Sequence, residues 1–143
     1  MGALTWYLDT SVVIALLKPE ALSDRADGFI SEHPTGVILS DFAAAEFASA
    51  VARWVRSREI NMSEGHIALE SFDSWVARSA QRVEIGPADV AAASALLRRL
   101  DLPLRKPDAI HIAIAQRLRA TLVTFDRQMA ASARAIGAAV AEP

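Results

Sequence analysis

Short apolar segments alternate with longer stretches in which apolar residues recur at helical spacing. The apolar segments predict strands at 4–8, 37–39, 81–85 and 121–125, with a weak terminal strand near 138–140. The first segment is almost wholly apolar, which is typical of a strand buried on both faces of a sheet. Strands that alternate with helices predict a parallel α/β sheet with right-handed crossovers.

Proline and capping residues mark where the predicted helices begin and end. Asp9, Thr10 and Ser11 offer capping side chains, and Ser40 can cap a long helix. The segment 34–36 and Pro103 break the chain. The predicted helices cover about 11–17, 19–31, 41–58, 63–79, 87–100 and 107–119, with a last one from about 127.

Length and composition then limit the class of protein. A chain of 143 residues with 52% apolar residues and no repeat or linker predicts one domain over 1–143. The absence of cysteine excludes a disulfide framework, a zinc finger and a thiol nucleophile. Lys18 ends the early apolar segment 12–17, far short of the roughly 20 residues of a spanning helix. Without a signal-peptide pattern, the expected location is the cytoplasm, with no membrane partner.

Two acids directly follow predicted strands. Asp9 comes after the first strand and Asp126 after the strand 121–125. Each can be a helix cap, but ligands of parallel sheets bind beyond the carboxyl ends of the strands. Two carboxylates at one sheet edge repel each other, so their coincidence indicates a bound cation or a proton.

Glu46 is the single charge in an apolar helical segment, 42–51. A buried carboxylate without a partner costs several kcal/mol, so such residues pair, protonate or bind metal. An ion pair with Arg53 or Arg56 is the alternative, although both lie beyond the i+4 position.

A fourth acid, Asp108, lies in the first turn of its predicted helix, where the helix dipole favours a negative charge. Its position matters because this helix immediately precedes the strand that leads to Asp126. His111 lies one turn further along an apolar helix and is interpreted as structural, outside the catalytic set.

Four acids with few histidines and no cysteine favour Mg²⁺ or Mn²⁺ over zinc. Such a site supports hydrolysis of phosphodiester bonds, because the metal lowers the pKa of a bound water. The chain has no glycine-rich phosphate loop that competes with this interpretation. The remaining acids that lie among polar neighbours are expected to be solvated: Glu20, Asp24, Asp27, Glu59, Glu64, Glu70, Asp73 and Glu84.

At these residues the chain resembles the PIN-domain ribonucleases, and within them the VapC-type toxins of toxin–antitoxin pairs. The matching segments occur in family order at 7–13, 40–46, 106–113 and 122–126. The resemblance implies a three-layer α/β sandwich, a five-stranded parallel sheet with helices on both faces. It also implies a Mg²⁺ or Mn²⁺ site formed by the acids Asp9, Glu46, Asp108 and Asp126.

The resemblance further implies a growth-inhibiting endoribonuclease with an RNA substrate, a homodimer and a cognate antitoxin. Thr124 matches a hydroxyl residue beside the fourth acid that helps to hold water or phosphate. Ser11 is a similar candidate near Asp9, with helix capping as its alternative role. Trp54, Phe72 and Trp75 have the spacing of core residues, with part of an antitoxin surface as the alternative.

Two other classes of protein with a similar sheet are disfavoured. An aspartate-nucleophile phosphatase needs a second Asp two residues after the first, where this chain has Ser11, and a receiver domain needs paired acids near Asp9. A non-catalytic partner-binding PIN-like module and a metal-dependent nuclease outside a toxin–antitoxin pair are the alternatives that stay.

The net charge of -2 at first argues against a nucleic-acid partner. If the four acids bind metal, 13 of the 17 acids remain against 15 bases. Arg98, Arg99, Arg105 and Lys106 lead into Asp108, and Arg53, Arg56 and Arg58 follow Glu46. The charge balance is therefore compatible with RNA.

Overall fold

A five-stranded parallel sheet forms the middle of the molecule. The computed structural model describes residues 3–143, so the first two residues of the predicted domain lie outside the described residues. The strand order is β3-β2-β1-β4-β5, and every neighbouring pair is parallel. The strands are β1 (Trp6–Leu8), β2 (Val37–Ser40), β3 (Gln81–Val83), β4 (Thr121–Val123) and β5 (Val140–Ala141). The predicted α/β class and parallel sheet are confirmed.

The strands are connected by helices. They are α1 (Thr10–Leu17), α2 (Ser23–Glu32), α3 (Asp41–Arg56), α4 (Met62–Ser79), α5 (Pro87–Leu97), α6 (Lys106–Arg117) and α7 (Arg127–Ala135). Within residues 3–143, no helix combines the length and the apolar character that crossing a bilayer requires.

The prediction that α2 begins at Pro19 is wrong. The helix begins at Ser23, because the Ser23 side chain accepts a hydrogen bond from the Glu20 amide and donates one to the Lys18 carbonyl. These bonds stabilise a turn in place of the first helical turn. The predicted segments 87–100 and 41–58 also extend past the observed helix ends at Leu97 and Arg56.

Alternate strand residues enter two separate apolar clusters, one on each face of the sheet. Leu8 packs in a cluster with Leu39 and Val123, whereas Tyr7 packs on the other face. Successive side chains of a strand point to opposite faces, so the sheet carries apolar residues on both. Helices cover both faces, and the result is a three-layer sandwich.

The aromatic residues of α3 and α4 belong to this core. Trp54 and Phe72 are 8% and 4% exposed, and Trp75 packs against the same cluster while partly buried. Phe47 stacks on Phe72 with ring centroids 4.8 Å apart. The interpretation of these residues as core is confirmed, and the alternative of an exposed docking surface is wrong for Trp54 and Phe72.

The central position of β1 determines where the chemistry-bearing residues lie. β1, β2 and β4 end side by side, and each is followed by a helix. The side chains of Asp9, Ser40 and Asp126 cap those helices by accepting hydrogen bonds from Val12, Ala43 and Met129, in that order. Asp9 and Asp126 are therefore helix caps, and they also lie at one edge of the sheet.

An ion pair fixes α6 against the helix before it. Asp89 on α5 is 1% exposed and accepts hydrogen bonds from Arg117 Nε at 2.7 Å and Nη2 at 2.9 Å. Arg117 also donates to the Glu84 carbonyl oxygen at 3.0 Å. Burial disfavours the ionised carboxylate, but Arg117 and the amide of Gly86 outweigh it and hold the pKa of Asp89 below its ordinary 3.8.

We predict that Asp89→Asn lowers the free energy of unfolding by about 1–3 kcal/mol at pH 7, since Arg117 loses its ionic partner. A carboxyl whose pKa is lowered on folding contributes stability above its unfolded pKa and loses it as the pH falls. The difference between wild type and variant should therefore be constant above about pH 5 and shrink below pH 4. Urea denaturation at several pH values measures it.

Asp73→Asn, which changes an exposed carboxylate on α4, is the control. An Asp89→Asn protein that is as stable as the control at pH 7, or a difference that does not change with pH, would contradict the prediction.

Candidate active site

The four predicted acids line one cavity of about 200 Å³ at the carboxyl edge of the sheet. Asp9 and Asp126 reach it from the ends of β1 and β4, Glu46 from α3, and Asp108 from α6. The cavity is also lined by Thr10, Ser11, Arg105, Pro107, His111 and Met129. Residues that are far apart in the sequence are thus brought together around a polar depression.

Asp9 is the most deeply buried of the four acids, with 2% exposure. Its Oδ1 accepts hydrogen bonds from Ser11 Oγ at 2.6 Å and from the Val12 amide at 3.2 Å, and its Oδ2 accepts one from Thr124 Oγ1 at 2.5 Å. Burial raises the pKa of Asp9 above its ordinary value, although these hydrogen bonds favour the ionised form. Asp9 is therefore held rigidly in a place that does not favour its charge.

The hydroxyl groups of Ser11 and Thr124 connect β1 to the chain that follows β4. Ser11 Oγ accepts a hydrogen bond from the Phe125 amide at 3.1 Å, and Thr124 Oγ1 accepts one from the Asp126 amide at 2.9 Å. Both hydroxyls donate to Asp9, so in this structure they orient that carboxylate. Their predicted part in holding water or phosphate stays a prediction.

Glu46 is only partly buried, with 27% of its side chain exposed. Its Oε1 accepts a hydrogen bond from Thr10 Oγ1 at 2.6 Å and lies 2.5 Å from Nε2 of His111. Burial raises the pKa of Glu46, but hydrogen bonds from His111 and Thr10 and the nearby charge of Arg105 lower it overall. Arg53 and Arg56 are exposed and lie at the far end of α3, and His111 is the observed partner.

Arg105 lies between the two remaining acids. Its Nε is 3.2 Å from Oδ2 of Asp108, and its Nη2 is 3.3 Å from Oδ2 of Asp126. Asp108 has 7% of its side chain exposed, whereas the Arg105 side chain is 71% exposed. The guanidinium therefore neutralises two carboxylates from the solvent side of the cavity.

The donor set fits a hard divalent cation, because carboxylate oxygens are the ligands that Mg²⁺ and Mn²⁺ prefer. Among residues 3–143, however, no three His, Cys, Asp or Glu side chains are already arranged as a metal-binding group. The carboxylates instead contact protein donors: hydroxyls at Asp9, His111 at Glu46, and Arg105 at Asp108 and Asp126.

Sequence reasoning missed Thr10, Arg105 and His111 as members of the site. His111 is 2% exposed and contacts Glu46, which is 65 residues earlier in the chain. Arg105 and His111 each lie three residues from Asp108, so helical spacing places all three on one side of α6. That spacing is the local signal for Arg105 and His111, and the signal for Thr10 is its position directly after Asp9.

The comparisons with known proteins identify the family of this chain. The family model of the PIN domain matches residues 6–135, so the chain belongs to the PIN domain family. A sequence search of the curated proteins found no match.

Three solved structures show the same fold at low sequence identity. VapC20 of Mycobacterium tuberculosis, a sarcin-ricin loop cleaving toxin, has a TM-score of 0.76 and 19% identity; the match covers 97% of this chain and 100% of that one. FitAcB from Neisseria gonorrhoeae has a TM-score of 0.72 and 18% identity over 95% and 96% of the two chains. DNA-bound VapBC from Salmonella typhimurium has a TM-score of 0.69 and 16% identity over 98% of both chains.

We predict that Thr124→Val lowers the free energy of unfolding by about 1–3 kcal/mol, because Asp9 Oδ2 and the Asp126 amide lose their buried partner. The matched control is Thr121→Val, at the start of β4, the strand that Thr124 directly follows. Chemical denaturation of both variants measures the difference. Equal stability of the two variants would show that the Thr124 hydroxyl is not an energetic anchor of the site.

Proposed function

We propose that this protein is a Mg²⁺- or Mn²⁺-dependent endoribonuclease that acts as the growth-inhibiting toxin of a toxin–antitoxin pair. The single observation that carries the proposal is the meeting of four acids, Asp9, Glu46, Asp108 and Asp126, in one cavity of a PIN domain. Each acid reaches the cavity from a different element of the fold. A surface used only for packing has no physical reason to gather four carboxylates.

In this proposal Asp9, Asp108 and Asp126 hold one or two divalent ions. When bound, the metal lowers the pKa of a water and neutralises charge on the oxygen that leaves the phosphodiester. Glu46 holds metal or orients the attacking water. Ser11 and Thr124 hold both oxygens of Asp9 in place. The Asp9 side chain therefore loses little conformational entropy when a cation binds.

RNA as the substrate is supported by basic residues that precede Asp108 and by one protein that shares the fold. Four exposed basic residues precede Asp108 in the chain: Arg98, Arg99, Arg105 and Lys106. Arg105 lines the cavity, and exposed basic side chains of this kind can contact a phosphate backbone. VapC20, which shares the fold, is a sarcin-ricin loop cleaving toxin.

An antitoxin partner is supported by the structures that share the fold. They include a toxin-antitoxin complex from Klebsiella pneumoniae, with a TM-score of 0.58, and VapBC2 from Rickettsia felis bound to a DNA fragment from its promoter. We further propose a homodimer, a single domain over 1–143 and a cytoplasmic location.

A non-catalytic partner-binding PIN-like module is the second candidate. It is favoured by the contacts that each acid already makes within the protein, above all the Arg105 bridge between Asp108 and Asp126. A metal ion that binds only the folded protein raises its melting temperature. A Mn²⁺ titration that gives neither binding nor thermal stabilisation would support this candidate. A third candidate is a nuclease outside a toxin–antitoxin pair. Whether expression of the protein arrests cell growth distinguishes it from a toxin.

We predict that Asp9→Asn and Asp126→Asn abolish Mg²⁺- or Mn²⁺-dependent RNA cleavage while the protein stays folded, because each removes a charged ligand. The control is Asp27→Asn, an exposed acid on α2. Cleavage of a mixed RNA substrate is followed on gels with metal and with EDTA, and circular dichroism verifies the fold. Cleavage by Asp9→Asn at the rate of the control would refute the assignment.

The same variants test the toxin in cells. Expression of the wild-type chain should arrest growth, and expression of Asp9→Asn should not. Rescue by the product of a neighbouring gene would identify the antitoxin. RNA cleavage in vitro without growth arrest would favour a nuclease outside a toxin–antitoxin pair.

We predict that Arg105→Gln raises the affinity for Mn²⁺, because the guanidinium and the cation compete for Asp108 and Asp126. Isothermal titration calorimetry without RNA measures the dissociation constant. Arg99→Gln is the matched control, since Arg99 is exposed and pairs with Asp101, which does not line the cavity. An unchanged or weaker affinity in Arg105→Gln would show that the two cations do not compete.

A further inference from the structure

A buried chain of hydrogen bonds joins the core of the sheet to Glu46. Tyr7 on β1 is fully buried, and its hydroxyl lies 2.8 Å from Ser40 Oγ and 2.6 Å from Nδ1 of His111. The other ring nitrogen of His111, Nε2, lies 2.5 Å from Oε1 of Glu46. Thr10 donates to the same oxygen at 2.6 Å. The chain thus begins inside the protein and ends at a carboxylate of the cavity.

The chemistry of the groups sets the direction of this chain. An ionised carboxylate only accepts, so Nε2 of His111 donates to Glu46 whether the imidazole is neutral or charged. With a neutral imidazole, Nδ1 accepts from the Tyr7 hydroxyl, and the Tyr7 oxygen accepts from Ser40, which itself accepts from the Ala43 amide. Every hydrogen then has an acceptor. Burial raises the pKa of Tyr7, which keeps its proton on the phenol oxygen.

The hydrogen bonds at Glu46 involve one carboxylate oxygen, Oε1, and leave Oε2 available to a metal ion or a water. Among residues 3–143, the donors that contact its carboxylate, His111 and Thr10, both meet Oε1. A glutamate has three side-chain torsions, and two donors on one oxygen restrict where the other oxygen can lie. Because His111 is 2% exposed, it is held by the core and cannot itself move far into the cavity.

We propose that His111, Tyr7 and Thr10 are positioning residues that hold Glu46 in the orientation its reaction requires. The inference rests on the proposed function, because it assigns these residues to the same metal-dependent cleavage. His111 is not a catalytic residue in this assignment, since its two ring nitrogens are directed at Tyr7 and Glu46 rather than at solvent. No change in its protonation is needed.

The experiment compares substitutions that remove or keep the donor to Glu46. His111→Leu and Thr10→Val each remove one donor, whereas His111→Gln keeps a side-chain N–H near the position of Nε2. Loss of such an orienting partner typically costs about 10- to 100-fold in activity or metal affinity. We expect that loss in kcat for His111→Leu and Thr10→Val, with KM near wild type and a substantial recovery in His111→Gln.

Tyr7→Phe tests the more distant bond of the chain. It removes the hydroxyl that fixes Nδ1 of His111 and should lower kcat less than His111→Leu does, because Nε2 remains. The control is His33→Leu, a partly buried histidine beside Trp6 at the opposite end of β1. It should lower the melting temperature without lowering kcat of the folded protein.

Three readouts are measured for every variant: melting temperature, kcat and KM on RNA, and Mn²⁺ affinity by calorimetry without RNA. Wild-type kcat in His111→Leu would overturn the inference, as would equal losses in His111→Leu and His111→Gln. If the wild-type chain binds Mn²⁺ but cleaves no RNA, the proposed function fails. In that case a Mn²⁺ affinity that falls in His111→Leu and recovers in His111→Gln would support the positioning of Glu46 as a metal ligand, and an unchanged affinity in His111→Leu would overturn it.

Discussion

The cost of bringing four carboxylates together in a cavity that is partly shielded from water is the constraint on which the rest of the site depends. Asp9, Glu46, Asp108 and Asp126 line a cavity of only about 200 Å³, and Asp9 is almost completely buried. Gathering negative charge where water is scarce is unfavourable unless each group receives donors or a cation. The structure meets this cost with hydroxyls at Asp9, an imidazole at Glu46 and a guanidinium at the other two acids.

The sheet explains why these acids can meet at all. β1 and β4 are neighbours although more than a hundred residues separate them, so the residues that follow them lie side by side. Asp9 and Asp126 use one oxygen each to cap a helix and keep the other toward Thr124 or Arg105. The same side chains therefore fix the start of a helix and line the cavity. Capping a helix and lining the cavity are compatible at these two positions.

The fold could be predicted because its signals are local. Alternation of short apolar segments and amphipathic stretches indicates the parallel sheet, and acids placed directly after strands indicate the edge of the sheet where the cavity lies. The start of α2 could not be read correctly, because a Ser23 turn replaced the helical turn that Pro19 suggested. Some predicted strands run past the observed ends. The predicted strand 81–85 ends at Val83, because the Ile85 amide donates to the Asp41 side chain and not to a neighbouring strand.

The internal partners of the acids could not be predicted in the same way. His111 meets Glu46 across 65 residues and Tyr7 across 104, and neither separation leaves a pattern in a single sequence. An apolar neighbourhood on α6 made His111 resemble a core residue, and it is one: it is buried, yet it contacts the cavity's glutamate. Arg105 was interpreted as part of a basic surface, and its exposure fits that, but its guanidinium also reaches two acids.

The most direct test of the account is the position of a divalent cation in crystals of this protein grown with MnCl₂. Anomalous diffraction at the manganese edge locates the ion without any assay of activity. The account predicts a manganese peak in the cavity, coordinated by Asp9 together with at least one of Glu46, Asp108 and Asp126. It also predicts that Arg105 has moved away from any acid that coordinates the ion. No peak in that cavity at saturating Mn²⁺, with Arg105 still bridging Asp108 and Asp126, would contradict it.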